Sequence, residues 1–412
     1  MYLHLLKMIW NRKRANGLII AEVSIAFMVI FAVAALAIRN LSLYQIPLGY
    51  DYQNMWRIQS IPSGKWDTEK DGQSLLQLIN AVKQMPEVET LNLLSNPTFR
   101  NWKSTYAHQD DDGNVLFYYR NHFDDSAAEN FNMHLLEGRW FGPEDDNQNY
   151  DPVIVNQEFV DLYYPNEDII GKNIQENEAD EDTQGSGNGI DNTNNAEAPR
   201  EIRVVGVFKY FRQFGELSPV MPYVIHRINM QALDSNFGIE LKLNSNAEDS
   251  FEQRLLDMLK NIEPDFNYVL SSWANSRDSQ LRQTTLPLTI FAIVATFLIL
   301  MVAMGLFGVL WQNVTTRTHE IGLRRALGAT ANNVHLQIIG ELLIVALMGI
   351  AIAFVLIVQL PMLGVFQELD WVLFWKSFLL SLVFMLVLAT ICAFYPGKMA
   401  TRYSPSEALH YE

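Results

Sequence analysis

Thr316–Thr330, TRTHEIGLRRALGAT, is a polar, net-basic stretch enclosed by two long apolar runs, and its reading decides the fold. Arg317, Arg324 and Arg325 stand against one acid, Glu320. Ile321 and Leu327 offer apolar contact points, Gly328 is placed to stop a helix, and Thr330 to cap the next one. The expected element is a short amphipathic helix lying along a membrane surface. Positive residues are retained on the cytoplasmic side, so this stretch is expected to face the cytoplasm.

The flanking runs, residues 284–311 and 336–358, are almost free of charge, and two more of the same kind occupy residues 17–39 and 372–395. About 20 apolar residues in a helix cross roughly 30 Å of hydrocarbon, so each run is long enough to span. The first follows Lys7, Arg12, Lys13 and Arg14, with no acid in residues 1–16. Leu3, Leu6 and Trp10 recur there at helical spacing, as in a cytoplasmic interfacial helix. The run exceeds the roughly 7–15 apolar residues of a signal peptide, so it is expected to remain as an anchor. The loop at 359–371 carries Glu368 and Asp370 without a base, which fits an external position, and the tail at 396–412 returns with Lys398 and Arg402. Both termini are thus expected in the cytoplasm.

Between the first and second spans, residues 40–283 read as a water-exposed α+β domain. Strand-like runs occur at Val115–Tyr119, Val153–Val155, Ile202–Phe208 and Tyr223–His226, and helical spacing at Ser74–Met85 and Phe251–Ile262. Residues 175–199 hold almost no large apolar side chain and are expected to form a mobile acidic loop. The domain contains 39 acidic and 19 basic residues, a balance of −20 within a chain of net charge −16. Such a surface repels a polyanion and excludes nucleic acid as a partner.

Signs of catalysis are absent from the sequence. It has no HExxH, no GxSxG, no metal-spaced Cys/His set and no GxxxxGK[ST]; Gly171-Lys172-Asn173 lacks the Ser or Thr that a phosphate loop needs. Asp110–Asp112 before Gly113 reads as a hairpin turn. The lone Cys392 lies in the fourth span. Two acids fall inside apolar runs: Glu22, expected to pair with Arg12 or Arg14 near the interface, and Glu341, near the cytoplasmic end of the third span. Gly305 and Gly308 would permit close helix packing, either within one subunit or between two.

One span, a large external domain and three further spans is a layout that resembles FtsX-like and MacB-like ABC transporter permeases. EIGLRRALGAT, Glu320–Thr330, is similar to their signature, and the tail YPGKMATRYSPSEALHYE, Tyr395–Glu412, to their closing pattern. FNMHLLEGRWF at Phe131–Phe141, PVIVNQEFVDLYYPNEDIIGKNI at Pro152–Ile174 and IRVVGVF at Ile202–Phe208 resemble the external domain. The resemblance implies an α-helical inner-membrane protein with four transmembrane helices and a MacB-like periplasmic core domain of α+β fold. It further implies a non-catalytic subunit that works as a homodimer or with a paired homologous permease. A separate ABC ATPase subunit would bind ATP and magnesium and would contact Glu320, Ile321, Gly322, Arg324, Arg325, Ala326, Leu327 and Gly328. A periplasmic adaptor or outer-membrane channel, and membrane lipids, are the other implied partners. The implied action is mechanotransmission, for export or lipoprotein handling. The alternative is a membrane-tethered sensor or regulator of an envelope enzyme.

Overall fold

The computed structural model describes residues 13–67, 69–100, 105–109, 115–174, 201–230, 233, 237–244, 250–316, 319, 321, 323–324, 327–364 and 369–400. Residues 1–12 of the interfacial helix expected at 1–16, the Asp110–Asp112 turn, the acidic loop at 175–199 and the tail from residue 401 lie outside them, while residues 13–16 are continuous with the first spanning helix. The chain divides into two compact units, one formed by Met1–Ser42 with Thr285–Glu412 and the other by Leu43–Thr284.

The first unit is helical. Among the described residues, four helices are long and apolar enough to cross a membrane: α1 (Lys13–Tyr44), α6 (Trp273–Thr316), α7 (Ala331–Ile357, continued by the short α8, Gln359–Met362) and α9 (Trp371–Ala400). The intervening α2–α5 belong to the other unit. Helix α6 begins at Trp273 rather than at Thr284, so its polar first turns extend beyond the apolar run. Helix α9 likewise continues past Tyr395 and carries Pro396 within it.

Interlocking side chains from all four helices make one core, with Val23 and Phe27 of α1, Leu306 of α6, Ala346 and Ile350 of α7, and Phe374 and Ala389 of α9. In lipid, packing rather than the hydrophobic effect holds helices together, and small residues let them approach. Gly349 shows this directly, since a Cβ there would lie 2.8 Å from Val23 Cγ1 and 2.9 Å from the Ile20 carbonyl oxygen. The Ser24 hydroxyl, shared between the Ile20 carbonyl at 2.7 Å and the Gly349 carbonyl at 2.8 Å, adds a polar contact across the same crossing.

The second unit is built on one mixed sheet, of ten strands among the described residues. They are β1 (Met55–Pro62), β2 (Val88–Leu94), β3 (Thr105–Gln109), β4 (Val115–Phe123), β5 (Leu135–Gly138), β6 (Tyr150–Asn156), β7 (Glu201–Phe208), β8 (Tyr223–Arg227), β9 (Gly238–Leu243) and β10 (Phe266–Ser272). Their spatial order is β10-β1-β9-β2-β4-β8-β6-β7-β5, with β3 on β4. Two pairs are parallel, β4 with β8 and β6 with β7; the others are antiparallel. Between β2 and β4 only Leu94 and Phe123 are in register, so the sheet narrows there into two halves.

Each half has its own core. Helices α2 (Lys70–Lys83) and α5 (Phe251–Ile262) bury Leu75, Leu78, Leu255 and Leu259 against Ile58, Ile239 and Leu241 of the first half. In the second half, α4 (Gln157–Tyr163) buries Phe159 against Tyr118, Val153, Val155 and Val224. The side chain of Asn156 caps α4 by accepting from the Phe159 amide at 3.1 Å. A short helix, α3 (Ala127–Asn130), links β4 to β5.

Two glycines explain why LLEGRW and VVGVF occur together. Gly138 adopts φ +70°, and a Cβ on it would lie 2.3 Å from the Val205 carbonyl oxygen. A Cβ on Gly206 would lie 2.4 Å from the Arg139 carbonyl oxygen. The edge strand β5 and its neighbour β7 therefore approach backbone to backbone.

A fully buried ion pair crosses the first half. Arg57 on β1 donates to Glu240 on the neighbouring β9, and the second oxygen of Glu240 accepts from Trp273 Nε1 at 2.7 Å. Gly238 makes room for it, because a Cβ there would fall 2.2 Å from Arg57 Cζ.

Candidate coupling segment

The stretch after α6 is helical at residues 319, 321 and 323–324, and it ends where Gly328 takes φ +100°. Leu327 and Ala329 still donate backward, to the Leu323 carbonyl at 3.0 Å and the Arg324 carbonyl at 3.0 Å, closing the last turn. The chain then restarts at Thr330, whose extended backbone and side-chain oxygen cap α7 through the Asn333 amide at 3.3 Å. A glycine stop followed within two residues by a threonine cap fixes a tight helix–turn–helix.

What this segment presents is mixed. Leu323 is 47% and Leu327 81% exposed, while Ile321 is half-buried. Arg324 is exposed and donates through Nη1 to Gln337 Oε1 at 3.0 Å, and Gln337 Nε2 donates on to Glu341 Oε1 at 3.1 Å. The base of the segment is thereby tied to the first turns of α7. Glu320, Gly322, Arg325 and Ala326 lie outside the described residues. An exposed leucine pair beside an arginine, with no reactive group among them, suits docking rather than chemistry. Among the described residues no group of three or more His, Cys, Asp or Glu side chains is placed to hold a metal ion.

Glu22 faces Gly305, where a Cβ would lie 2.5 Å from its Oε2, so α1 and α6 meet at this point within one chain. Gly308, one turn on, is exposed and has no neighbouring atom within 4 Å of its missing Cβ. The side chains of Arg12 and Arg14, expected beside Glu22, lie outside the described residues. A further small-residue contact, unmarked by any motif, joins α7 to α9: a Cβ on Gly397 would fall 2.6 Å from His335 Nδ1.

Two family matches agree with this layout. Residues 292–405 match the FtsX-like permease C-terminal family, and residues 17–257, more than half the chain, match the MacB-like periplasmic core domain. The chain belongs to the FtsX-like, MacB-like ABC transporter permeases. Among curated relatives of this permease, the macrolide export ATP-binding/permease protein MacB of Bdellovibrio bacteriovorus is 31% identical over 125 residues, covering 30% of this chain and 19% of that protein. The protein of the same description from Neisseria meningitidis serogroup A is 23% identical over 223 residues, 53% of this chain and 31% of that protein. The match thus covers less than a third of the length of these two relatives. The crystal structure of the periplasmic region of MacB from Actinobacillus actinomycetemcomitans covers 58% of this chain and 97% of that one, at 12% identity and a TM-score of 0.36.

The sheet unit of the permease is the MacB-like core domain, placed between the first span and the other three. Absent from the sequence reading were Arg57, Glu240, Arg212 and Glu216, all buried in that unit. Arg57 pairs with Glu240, Glu216 with Arg277, and Arg212 reaches Leu43 and Ile46, all far apart in the chain, so no spacing marks them.

Proposed function

We propose that this chain is the non-catalytic permease subunit of an ABC transporter of the MacB/FtsX type, in the bacterial inner membrane with both termini cytoplasmic. ATP hydrolysis by a separate cytoplasmic ATPase, which binds ATP and magnesium, moves the segment at Thr316–Thr330. The motion passes along the helices to the external sheet unit, for export from the periplasm or for lipoprotein handling. The observation that carries this reading is the exposed Leu323, Arg324 and Leu327 on a capped turn joining two membrane-length helices. A groove on the ATPase would receive the two leucines, and acidic groups there would meet Arg324 and Arg325.

Two further features support it. Helix α6 follows β10 directly and continues to Thr316 with Pro287 inside it, so a single chain element leads from the sheet unit to the coupling segment. Only 17% of its apolar window is covered by the rest of the chain, against 28–50% for the other spans, which favours a second permease subunit packed on it. A periplasmic adaptor or outer-membrane channel would then read the movement of the sheet unit.

Purification of the full chain in mild detergent from its native membrane, followed by measurement of copurifying magnesium-dependent ATP hydrolysis, tests the proposal. The charge reversal R324E/R325E is expected to lose the activity while the variant still inserts. Undiminished activity would overturn the assignment of this segment.

A further inference from the structure

The loop between β7 and β8 holds two buried polar side chains, Arg212 and Glu216, that the coupling segment does not use. Arg212, 2% exposed, sits in the middle of it. Its Nη1 donates to the Leu43 carbonyl at 2.9 Å and the Ile46 carbonyl at 2.6 Å, at and just beyond the end of α1. Its Nη2 donates to the carbonyls of Glu216 and Ser218 in its own loop. The final carbonyls of a helix have no partner within it and carry the negative end of its dipole, so a buried guanidinium there is doubly favoured. Close backbone contact reinforces the join. Gly49 has φ +90°, and a Cβ on it would lie 1.9 Å from the Tyr210 carbonyl oxygen, while the Arg212 amide donates to the Leu48 carbonyl at 3.0 Å.

Four residues on, Glu216 accepts from Arg277 Nε, which belongs to the polar beginning of α6. Arg277 also lies over the Tyr52 ring, 4.9 Å from its centroid. The loop itself is held to the sheet unit through Gln213. Its amide donates to the Pro97 carbonyl at 2.9 Å, and its Oε1 accepts from the Tyr223 hydroxyl at 2.5 Å. One short loop, anchored in the sheet unit, therefore grips the last residues of α1 on one side and the first turns of α6 on the other.

We infer that Arg212 and Glu216 are positioning residues that fasten the two membrane-connected helix ends to one loop, so that α1 and α6 drive the sheet unit together. Arg212, with four carbonyl bonds, is the permanent half of the joint. The single Glu216–Arg277 pair is the half that a load can open. This rests on the reading of the chain as a force-transmitting permease, although the joint itself is a property of the fold.

Hydrogen–deuterium exchange on the full chain in detergent micelles tests the joint. R277Q and E216Q are each expected to raise exchange over residues 273–284 by about tenfold, as loss of one charged hydrogen bond implies, with β4 and β8 unchanged. The double variant is expected to match the singles, and R277K to restore most of the protection. Unchanged exchange, or additive effects, would overturn the joint. With the copurified ATPase present, added magnesium-ATP is expected to alter exchange over 43–52 and 273–284 in the wild type but not in R277Q, whose ATP hydrolysis persists. A persisting ATP response in R277Q would refute the role in coupling. If the wild type itself shows no ATP response, the proposed function fails while the first measurement still decides the joint.

Discussion

Arg324 donates to Gln337 across the turn between α6 and α7, and Gln337 in turn donates to Glu341 one helical turn further on. The exposed arginine of the coupling segment is thereby oriented by a residue that a docking partner need not touch. Gln337→Met keeps about the length of the side chain and removes both bonds. It is expected to lower copurifying ATP hydrolysis several-fold while leaving the thermal midpoint of the detergent-solubilised chain within a few degrees of wild type. Loss of activity with collapse of the midpoint would instead assign Gln337 to the fold.

Helix crossings in the membrane unit depend on particular missing Cβ atoms. Gly349→Leu forces α7 away from Val23 and Ile20 and is expected to destabilise by about 1–3 kcal/mol, the usual effect of overpacking. Gly308→Ala meets nothing and is expected to be neutral in the isolated subunit. Thermal unfolding of both variants in detergent checks the contrast. A fall in oligomer content for Gly308→Ala alone would place Gly308 at an interface between subunits.

The Arg57–Glu240 pair gives a test of the sheet unit. Arg57→Met leaves the Glu240 carboxylate buried without its partner and is expected to destabilise by about 3–5 kcal/mol. Arg57→Met combined with Glu240→Leu is expected to recover much of that, since an apolar pair of similar volume needs no desolvation. Urea titration of the full chain, followed by tryptophan fluorescence, reads the midpoints. A double variant as unstable as the single would mean that the pair itself is worth more than its desolvation costs.

The sequence shows which parts of this architecture are local and which are not. The four spans were legible because each depends on nothing beyond its own length and lack of charge. Strands β6, β7 and β8 were legible from runs of Val and Ile. Strands β1 and β9 were missed because their alternation is interrupted by Arg57 and Glu240, charged residues at buried positions that make sense only once the strands are paired. The polar beginning of α6 was read as part of the external domain at 40–283 for a similar reason. Trp273 and Arg277 are held by Glu240 and Glu216, and neither contact can be inferred from neighbouring residues. In the coupling segment, Gly328 and Thr330 were readable as stop and cap, whereas the Arg324–Gln337 bond required the turn they create.

Acid sensitivity of the sheet unit follows from Asp145. Burial works to raise its carboxyl, but two bonds from Arg139, each at 2.6 Å, and one from the Gly142 amide hold it below its usual range. A carboxyl depressed on folding stabilises the fold above its unfolded value, about 3.9, and that contribution is lost as the pH falls through the lower folded value. Asp145→Asn is therefore expected to lower the thermal midpoint at neutral pH, with the gap to wild type holding above about pH 5 and closing below about pH 4. A gap independent of pH would show that the hydrogen-bond geometry, not the charge, carries the effect.

Site-specific photo-crosslinking in intact cells addresses the central claim, with the photoreactive residue at Leu327 and a control at Leu363. Both leucines are well exposed, but one follows the coupling helix and the other lies in the loop between α8 and α9. If the chain takes its force from a cytoplasmic ATPase, the Leu327 adduct contains a Walker-motif protein and the Leu363 adduct does not. No such adduct from Leu327, or equal capture at both positions, would contradict the account.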